Sequence, residues 1–169
     1  MKLRLLISEA KRWVSFVEVG GDNKGQVVEM FQRVVGKAVG EAWCLSFVQY
    51  CLKQVDSSFE EIYKKKLPLH GVNITEHCLT CWHKTPAQYK FRGAKPGRII
   101  IWRHGTTTRG HAGIVVHVER GTGYIWTVEG NTGPSNSTIQ RDGDGVYLKR
   151  RKLKSSGTMQ IVGFIQPWV

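Results

Sequence analysis

Glu41-Ala42-Trp43-Cys44-Leu45-Ser46-Phe47-Val48-Gln49-Tyr50-Cys51-Leu52-Lys53-Gln54-Val55 is the stretch on which the fold turns. Cys44, Phe47, Val48, Cys51, Leu52 and Val55 recur with the spacing of one helical face. Such an apolar stripe has to be buried against other structure. The spacing predicts a helix over 41–55, with one thiol near its start and a second deeper along it.

Upstream, Leu6, Ala10, Trp13, Val14 and Val17 keep a helical period, which predicts a helix over 5–19. Gly20-Gly21-Asp22-Asn23-Lys24-Gly25 breaks it. Val28, Phe31 and Val35 mark a short helix over 27–35, followed by a turn at Gly36 to Gly40. Downstream, a short helix around 75–84 ends at Thr85-Pro86. The second half then changes period. Residues 98–102, 111–119, 124–129, 146–152 and 160–165 are rich in Val, Ile and aromatics and bounded by Gly and Pro turns, so they read as strands. Helices first and strands after predict an α+β domain, with N-terminal helices packed on an antiparallel sheet of about five strands.

The chain of 169 residues is read as one domain, 1–169, large enough for a core without metal or disulfide support and with no separate binding domain. Its 25 Lys and Arg against 13 acids give a net charge of +12, a field that favours anionic partners. The local runs Lys64-Lys65-Lys66 and Lys149-Arg150-Arg151-Lys152 read as solvated faces, with attraction to an anionic wall as the functional alternative. No zinc-finger, aromatic RNA-binding or phosphate-loop motif accompanies them, which argues against nucleic acid as the partner. Met1 to Glu9 is too short and too charged for a signal peptide, and no segment reaches the length of a bilayer span. Synthesis in the cytoplasm, without stable membrane insertion, is expected. The four cysteines suggest no disulfide framework: Cys44 and Cys51 stand two helical turns, ~10 Å, apart. A reducing compartment is the simpler expectation.

Cys44 carries the strongest chemical signal. A thiol near a helix N-terminus feels the positive end of the helix dipole, which favours the reactive thiolate. A small buried residue is the alternative, and it is the better account of Cys51. A cysteine nucleophile needs a base and the base needs an orienting group. His111 opens a strand directly after the loop Gly105-Thr106-Thr107-Thr108-Arg109-Gly110, where its ring can reach a cleft. His117 is its rival on the same strand face, His104 precedes the loop, and His70, His77 and His83 suit surface or packing roles. Glu129 and Asn131, at the end of the next strand, can accept the imidazole N–H. A turn into Thr132-Gly133-Pro134 explains the same pair equally well.

Helix-borne Cys, strand-opening His and strand-ending Glu/Asn follow the order of the papain-like hydrolases. The chain resembles the CHAP domains of the papain-like, NlpC/P60-related clan, close to phage-endolysin-like members. The resemblance is carried by Glu18-Val19-Gly20-Gly21-Asp22-Asn23-Lys24-Gly25, Trp43-Cys44 with Phe47-Val48, and Pro96-Gly97 before the strand at 99–102. Gly110-His111-Ala112-Gly113-Ile114-Val115, Glu129-Gly130-Asn131-Thr132, Gly143-Asp144-Gly145-Val146-Tyr147 and Gly163-Phe164-Ile165 complete it.

It implies a cysteine-dependent peptidoglycan hydrolase, an N-acetylmuramoyl-L-alanine amidase or an endopeptidase, working as a monomer through an acyl-enzyme and used for lysis. Cys44 is then the nucleophile and His111 the base, oriented by Glu129 with Asn131 in support, while the Cys44 N–H meets the oxyanion. Relatives often carry Gln before the Cys. Trp43 stands there instead and is expected to line the substrate cleft, together with Glu18 and Asn23. No cofactor is implied, and the enzyme would reach the bacterial wall after release by another route. A non-catalytic wall-binding or particle-associated module is the alternative, and a hydrolase or acyltransferase of another amide a third reading.

Two metal-like patterns are set aside. The positions after Cys44, where some CHAP domains hold calcium-binding aspartates, are Leu45, Ser46 and Phe47, and Asp142-Gly143-Asp144-Gly145 lacks the later ligands of a calcium loop. His77-Cys78-Leu79-Thr80-Cys81-Trp82-His83 packs its donors into one or two helical turns, where they cannot surround a zinc ion, and it follows no strand as a redox CxxC should. Packing is the expected role of Cys78 and Cys81.

Overall fold

The computed structural model describes residues 1–64, 69–134 and 143–169. Lys65 and Lys66 of the first basic run, and Asp142 of the calcium-like turn, lie outside the described residues.

The helices are α1 (Lys2–Arg12), α2 (Gln26–Arg33), α3 (Cys44–Tyr63) and α4 (Cys78–Lys84). The strands are β1 (Lys90–Phe91), β2 (Ile99–His104), β3 (Gly110–Glu119), β4 (Tyr124–Thr132), β5 (Gly145–Lys152) and β6 (Met159–Ile165). They form one antiparallel sheet in the order β1-β6-β2-β3-β4-β5. The α+β architecture is the expected one, with a sixth strand in place of about five. β1 has two residues, too few to show a period in sequence.

The apolar stripe of α3 is fully used. Phe47, Val48, Cys51 and Leu52 are completely buried and pack in the larger of two core clusters with Ile99, Ile101, Ala112, Ile114 and Val128. Alternate residues of the same strands, Ile100, Trp102, Val115 and Ile125, form the smaller cluster. Because neighbouring strand residues point to opposite faces, the sheet has a helix-covered face and a second face.

Two helices, α1 and α3, depart furthest from expectation. α1 stops at Arg12, and Ser15 takes a left-handed backbone (φ 77°). The chain then lies along β5, with Ser15 N–H donating to Val146 O (2.9 Å), Val146 N–H to Phe16 O (2.9 Å) and Glu18 N–H to Asp144 O (2.7 Å). Edge pairing thus wins over the helical period of Val14 and Val17. α3 starts at Cys44 rather than Glu41, because Trp43 is its non-helical N-cap (φ −125°, ψ 17°), and runs on to Tyr63.

Candidate active site

The break before α3 puts Cys44 at the first position of the helix. Its N–H therefore has no acceptor within the helix, and its side chain opens on a cleft of about 530 Å³. His111 comes from the start of β3 and lines the same cleft. The His111 ring stacks on Trp102 of the neighbouring strand (centroids 5.6 Å apart, 26° between planes), which fixes its plane. His111 Nε2 meets Glu129 Oε2 at 2.9 Å. That engagement leaves Nδ1 for the sulfur, and Cys44 and His111 line the same cleft, each shifting the titration of the other.

Glu129 is completely buried, yet all its oxygens are served. Arg151 Nε donates to Oε1 (2.8 Å) and its terminal nitrogen to Oε2 (2.5 Å). The Thr127 hydroxyl donates to Oε1 (2.5 Å). Room for this carboxylate exists because its cross-strand neighbour is Gly113, where a Cβ would stand 2.8 Å from Glu129 Cγ.

These contacts set the charges. Burial pushes the Glu129 carboxyl up, but the hydrogen bonds and charges of Arg151 and His111 hold it well below the usual carboxylate range. Burial pulls His111 down, but its hydrogen bonds to Cys44 and Glu129 outweigh that and raise it to about 9. The Cys44 thiol lies well below its ordinary range. A hydrogen bond from Cys78 holds the thiolate, burial opposes it, and His111 and the Ala112 backbone add to the downward pull. These directions favour a thiolate–imidazolium pair backed by an ionised carboxylate.

A family model described as CHAP domain matches residues 36–131, more than half of the chain. The chain belongs to the CHAP family. CHAP domains are typically cysteine- and histidine-dependent amidohydrolases, and the family is one of peptidoglycan-hydrolase-type amidases and peptidases. No curated protein matches the chain.

The matched stretch of this CHAP domain contains Cys44, His111, Glu129 and Asn131. Glu129, not Asn131, is the partner of His111. Asn131 has a left-handed backbone (φ 52°) at a register shift of β4, which turns its amide toward the start of α3. With its oxygen accepting from Trp43 N–H (3.1 Å), its NH2 group donates to Gly143 O (2.8 Å) and Asn23 Oδ1 (3.1 Å). It therefore clamps the start of α3 to the loop at Asn23, and both Asn residues line the cleft.

Trp43 and Glu18 do not line the cleft. Trp43 is completely buried, stacked on Phe31 (5.5 Å), with its Nε1 donating to Glu18 Oε1 (2.5 Å). The apolar ring gains more from core burial than from an open groove. Glu18 spends its second oxygen on Asn23 N–H (2.8 Å), holding that loop in place. His117 is exposed, because a register shift between Val115 and His117 breaks the strand alternation that would have aligned it with His111.

Several cleft residues were not foreseen. Lys37, Glu41, Glu76, His77, Cys78, His104 and Arg109 join the lining, as does Arg151. The basic run that holds Arg151 is not a solvated face. On β5 its members separate: Lys149 is buried and donates to Gly133 O (2.6 Å), Arg150 pairs with Glu119 (2.7 Å), and Arg151 grips Glu129. Among the described residues, no group of three or more His, Cys, Asp or Glu is placed to hold a metal ion. No helix there is long and apolar enough to cross a membrane.

Proposed function

We propose that this CHAP domain is a cysteine-dependent peptidoglycan hydrolase that cleaves an amide bond through an acyl-enzyme, as a muramoyl-alanine amidase or an endopeptidase, and that it lyses walls. The observation that supports it most is that Cys44 and His111 line one cleft, with the buried Glu129 carboxylate paired to the imidazole behind them. A wall-binding module has no use for a buried carboxylate kept ionised behind an imidazolium.

In this mechanism the Cys44 thiolate attacks the amide carbonyl carbon. The unpaired N–H of Cys44 meets the developing oxyanion. His111, protonated on Nδ1, gives that proton to the leaving nitrogen, and the amine departs from the thioester. His111, now neutral, takes a proton from water as the water attacks the thioester, and the carboxylic acid product leaves. Glu129 stays ionised and steadies the imidazolium at each turn. The cleft offers cations (Lys37, Arg109) and carboxylates (Glu41, Glu76) around the sulfur, suited to a substrate carrying both carboxylates and amines, as wall stem peptides do. The +12 charge favours an anionic wall.

The test is clearing of purified bacterial walls by wild type and Cys44→Ala, with mass spectrometry of the fragments. Loss of clearing in Cys44→Ala is expected. A new muramic-acid terminus identifies an amidase, and a cut within the stem or cross-bridge an endopeptidase. Full clearing by Cys44→Ala overturns the mechanism. Sedimentation of wild type with walls that it never cuts favours the binding module.

A further inference from the structure

Cys78 occupies the cleft but has no step in amide hydrolysis. Its Sγ lies 3.8 Å from Cys44 Sγ, and both residues are at least nine-tenths buried while lining the same cleft. Cys78 is the first residue of α4, pressed against β3 at Gly110, where an added Cβ would stand 2.7 Å from Cys78 Cβ. The strand therefore holds its side chain toward Cys44. Its sequence partner Cys81 turns away, with Sγ donating to Asn73 O (3.4 Å). Cys51 is buried further along α3. The pairing that the structure makes is across two helices and not within the CxxC.

We propose that Cys44 and Cys78 form an oxidisable dithiol: a hydroperoxide converts Cys44 to the sulfenic acid, and Cys78 resolves it to a disulfide that reversibly silences the nucleophile. Bond formation rests on the thiol geometry alone, and silencing rests on the hydrolase reading above. A disulfide bond is about 2.05 Å long, so from 3.8 Å the sulfurs approach by roughly 1.8 Å, within reach of a small shift at the N-terminal turn of α4.

The chemistry balances in two steps. The Cys44 thiolate attacks the terminal oxygen of the hydroperoxide. The O–O bond breaks, Cys44 becomes S–OH, and the departing alkoxide or hydroxide takes a proton from the His111 imidazolium. The Cys78 sulfur then attacks the Cys44 sulfur, the S–O bond breaks, and hydroxide leaves with the Cys78 proton as water. Two thiols are oxidised by two electrons and the peroxide is reduced. The Cys78 thiol is held up first by its hydrogen bond to the Cys44 thiolate and then by burial. Conversion of Cys44 to a neutral sulfenic acid removes the first of these restraints, so the resolving thiol is released when it is needed. Without a resolving thiol, further peroxide carries a sulfenic acid to sulfinic acid, which thiol reductants do not reverse.

The experiment treats the reduced full chain with hydrogen peroxide, alkylates the remaining thiols, and reads peptides by non-reducing mass spectrometry, with wall clearing measured in parallel. The expected product is a Cys44–Cys78 cross-linked peptide, lighter by two hydrogens. Clearing falls in step with it and returns to its untreated rate with dithiothreitol. Cys78→Ser, compared with its own untreated rate, is expected to lose clearing irreversibly and to accumulate sulfinic acid at Cys44. Cys78→Ala reports the same if the hydroxyl disturbs packing. Cys81→Ser is expected to form the cross-link as wild type does. A Cys78–Cys81 bond, sulfinic acid at Cys44 in wild type without a cross-link, or full reductant recovery in the Cys78 variants overturns the proposal. The cross-link is read from mass, so a chain that never clears walls still decides it and puts only the hydrolase reading at fault.

Discussion

Arg151→Met removes the guanidinium and keeps the bulk of the side chain. Glu129 then stays completely buried with two hydrogen bonds in place of four, those from His111 and Thr127. Removing one member of a buried ion pair costs about 3–5 kcal/mol. The two remaining donors place this case near the lower end, so about 3 kcal/mol is expected, or a fall of roughly 6–12 °C in Tm. The effect has a pH signature. Glu129 is held well below the ordinary carboxylate range in the folded protein. Its contribution to stability is therefore complete above the unfolded value and fades as pH falls toward the folded one. Arg151→Met raises the folded value, so the stability gap to wild type is widest near neutrality and narrows below about pH 4. If the whole cost reaches the transition state, clearing drops by up to about two decades, and its acid limb moves to higher pH. Arg151→Lys keeps a charge but not the two-pronged grip, and recovers part of the loss. Thermal melts from pH 7 to 3, with wall clearing across the same range, measure all of this. A gap that does not vary with pH, or an acid limb identical to wild type, refutes the assignment of Arg151 to the Glu129 charge.

Gly113→Ala puts a methyl 2.8 Å from Glu129 Cγ and 3.5 Å from Thr127 Cβ. It is expected to cost about 1–3 kcal/mol and to lower clearing further than its melting temperature alone explains, which steady-state rates beside melting curves will show. Alkylation of Cys44 by iodoacetamide is expected to stay fast well below the ordinary thiol value of about 8.5, since the thiolate is stabilised in place. The rate profile changes again as pH passes about 9, where His111 loses its proton. The same titration makes the His111 contribution to stability complete below its unfolded value of about 6.5 and lost as pH rises through about 9. His111→Ala should move the alkylation inflection upward, and an ordinary thiol inflection in wild type contradicts the ion pair.

The sequence carried the central elements because their periods are long and clean. The stripe from Cys44 to Val55 admits one helix face, and the Val- and Ile-rich runs admit strands. Cys44, His111 and Glu129 could be named as candidates from where they sit on those elements, and the structure brings Cys44 and His111 to one cleft with Glu129 behind the imidazole. What escaped depends on direction and not on residue type. Lys149-Arg150-Arg151-Lys152 reads as one charged patch until strand alternation sends Arg151 to the buried side of Glu129. Cys78 was masked by its CxxC spacing to Cys81, while its spatial partner lies on another helix. Asn131 was read as sharing the role of Glu129, and a left-handed residue at that point gives it a different one. Trp43 shows the reverse error: a position beside a nucleophile suggested substrate contact, but the ring's size drew it into the core.

Gly130 lies directly beneath the start of α3, where any Cβ would stand 2.8 Å from both Phe47 and Trp43. Sulfur and imidazole belong to separate layers, and this bare patch of backbone sets how deeply one layer settles on the other. The alignment of the two groups is thus inherited from interior fit. On the hydrolase reading, a lining that swells or shrinks there registers as a lost reaction before it registers as a lost fold, which makes turnover the more sensitive gauge of how the two layers are seated.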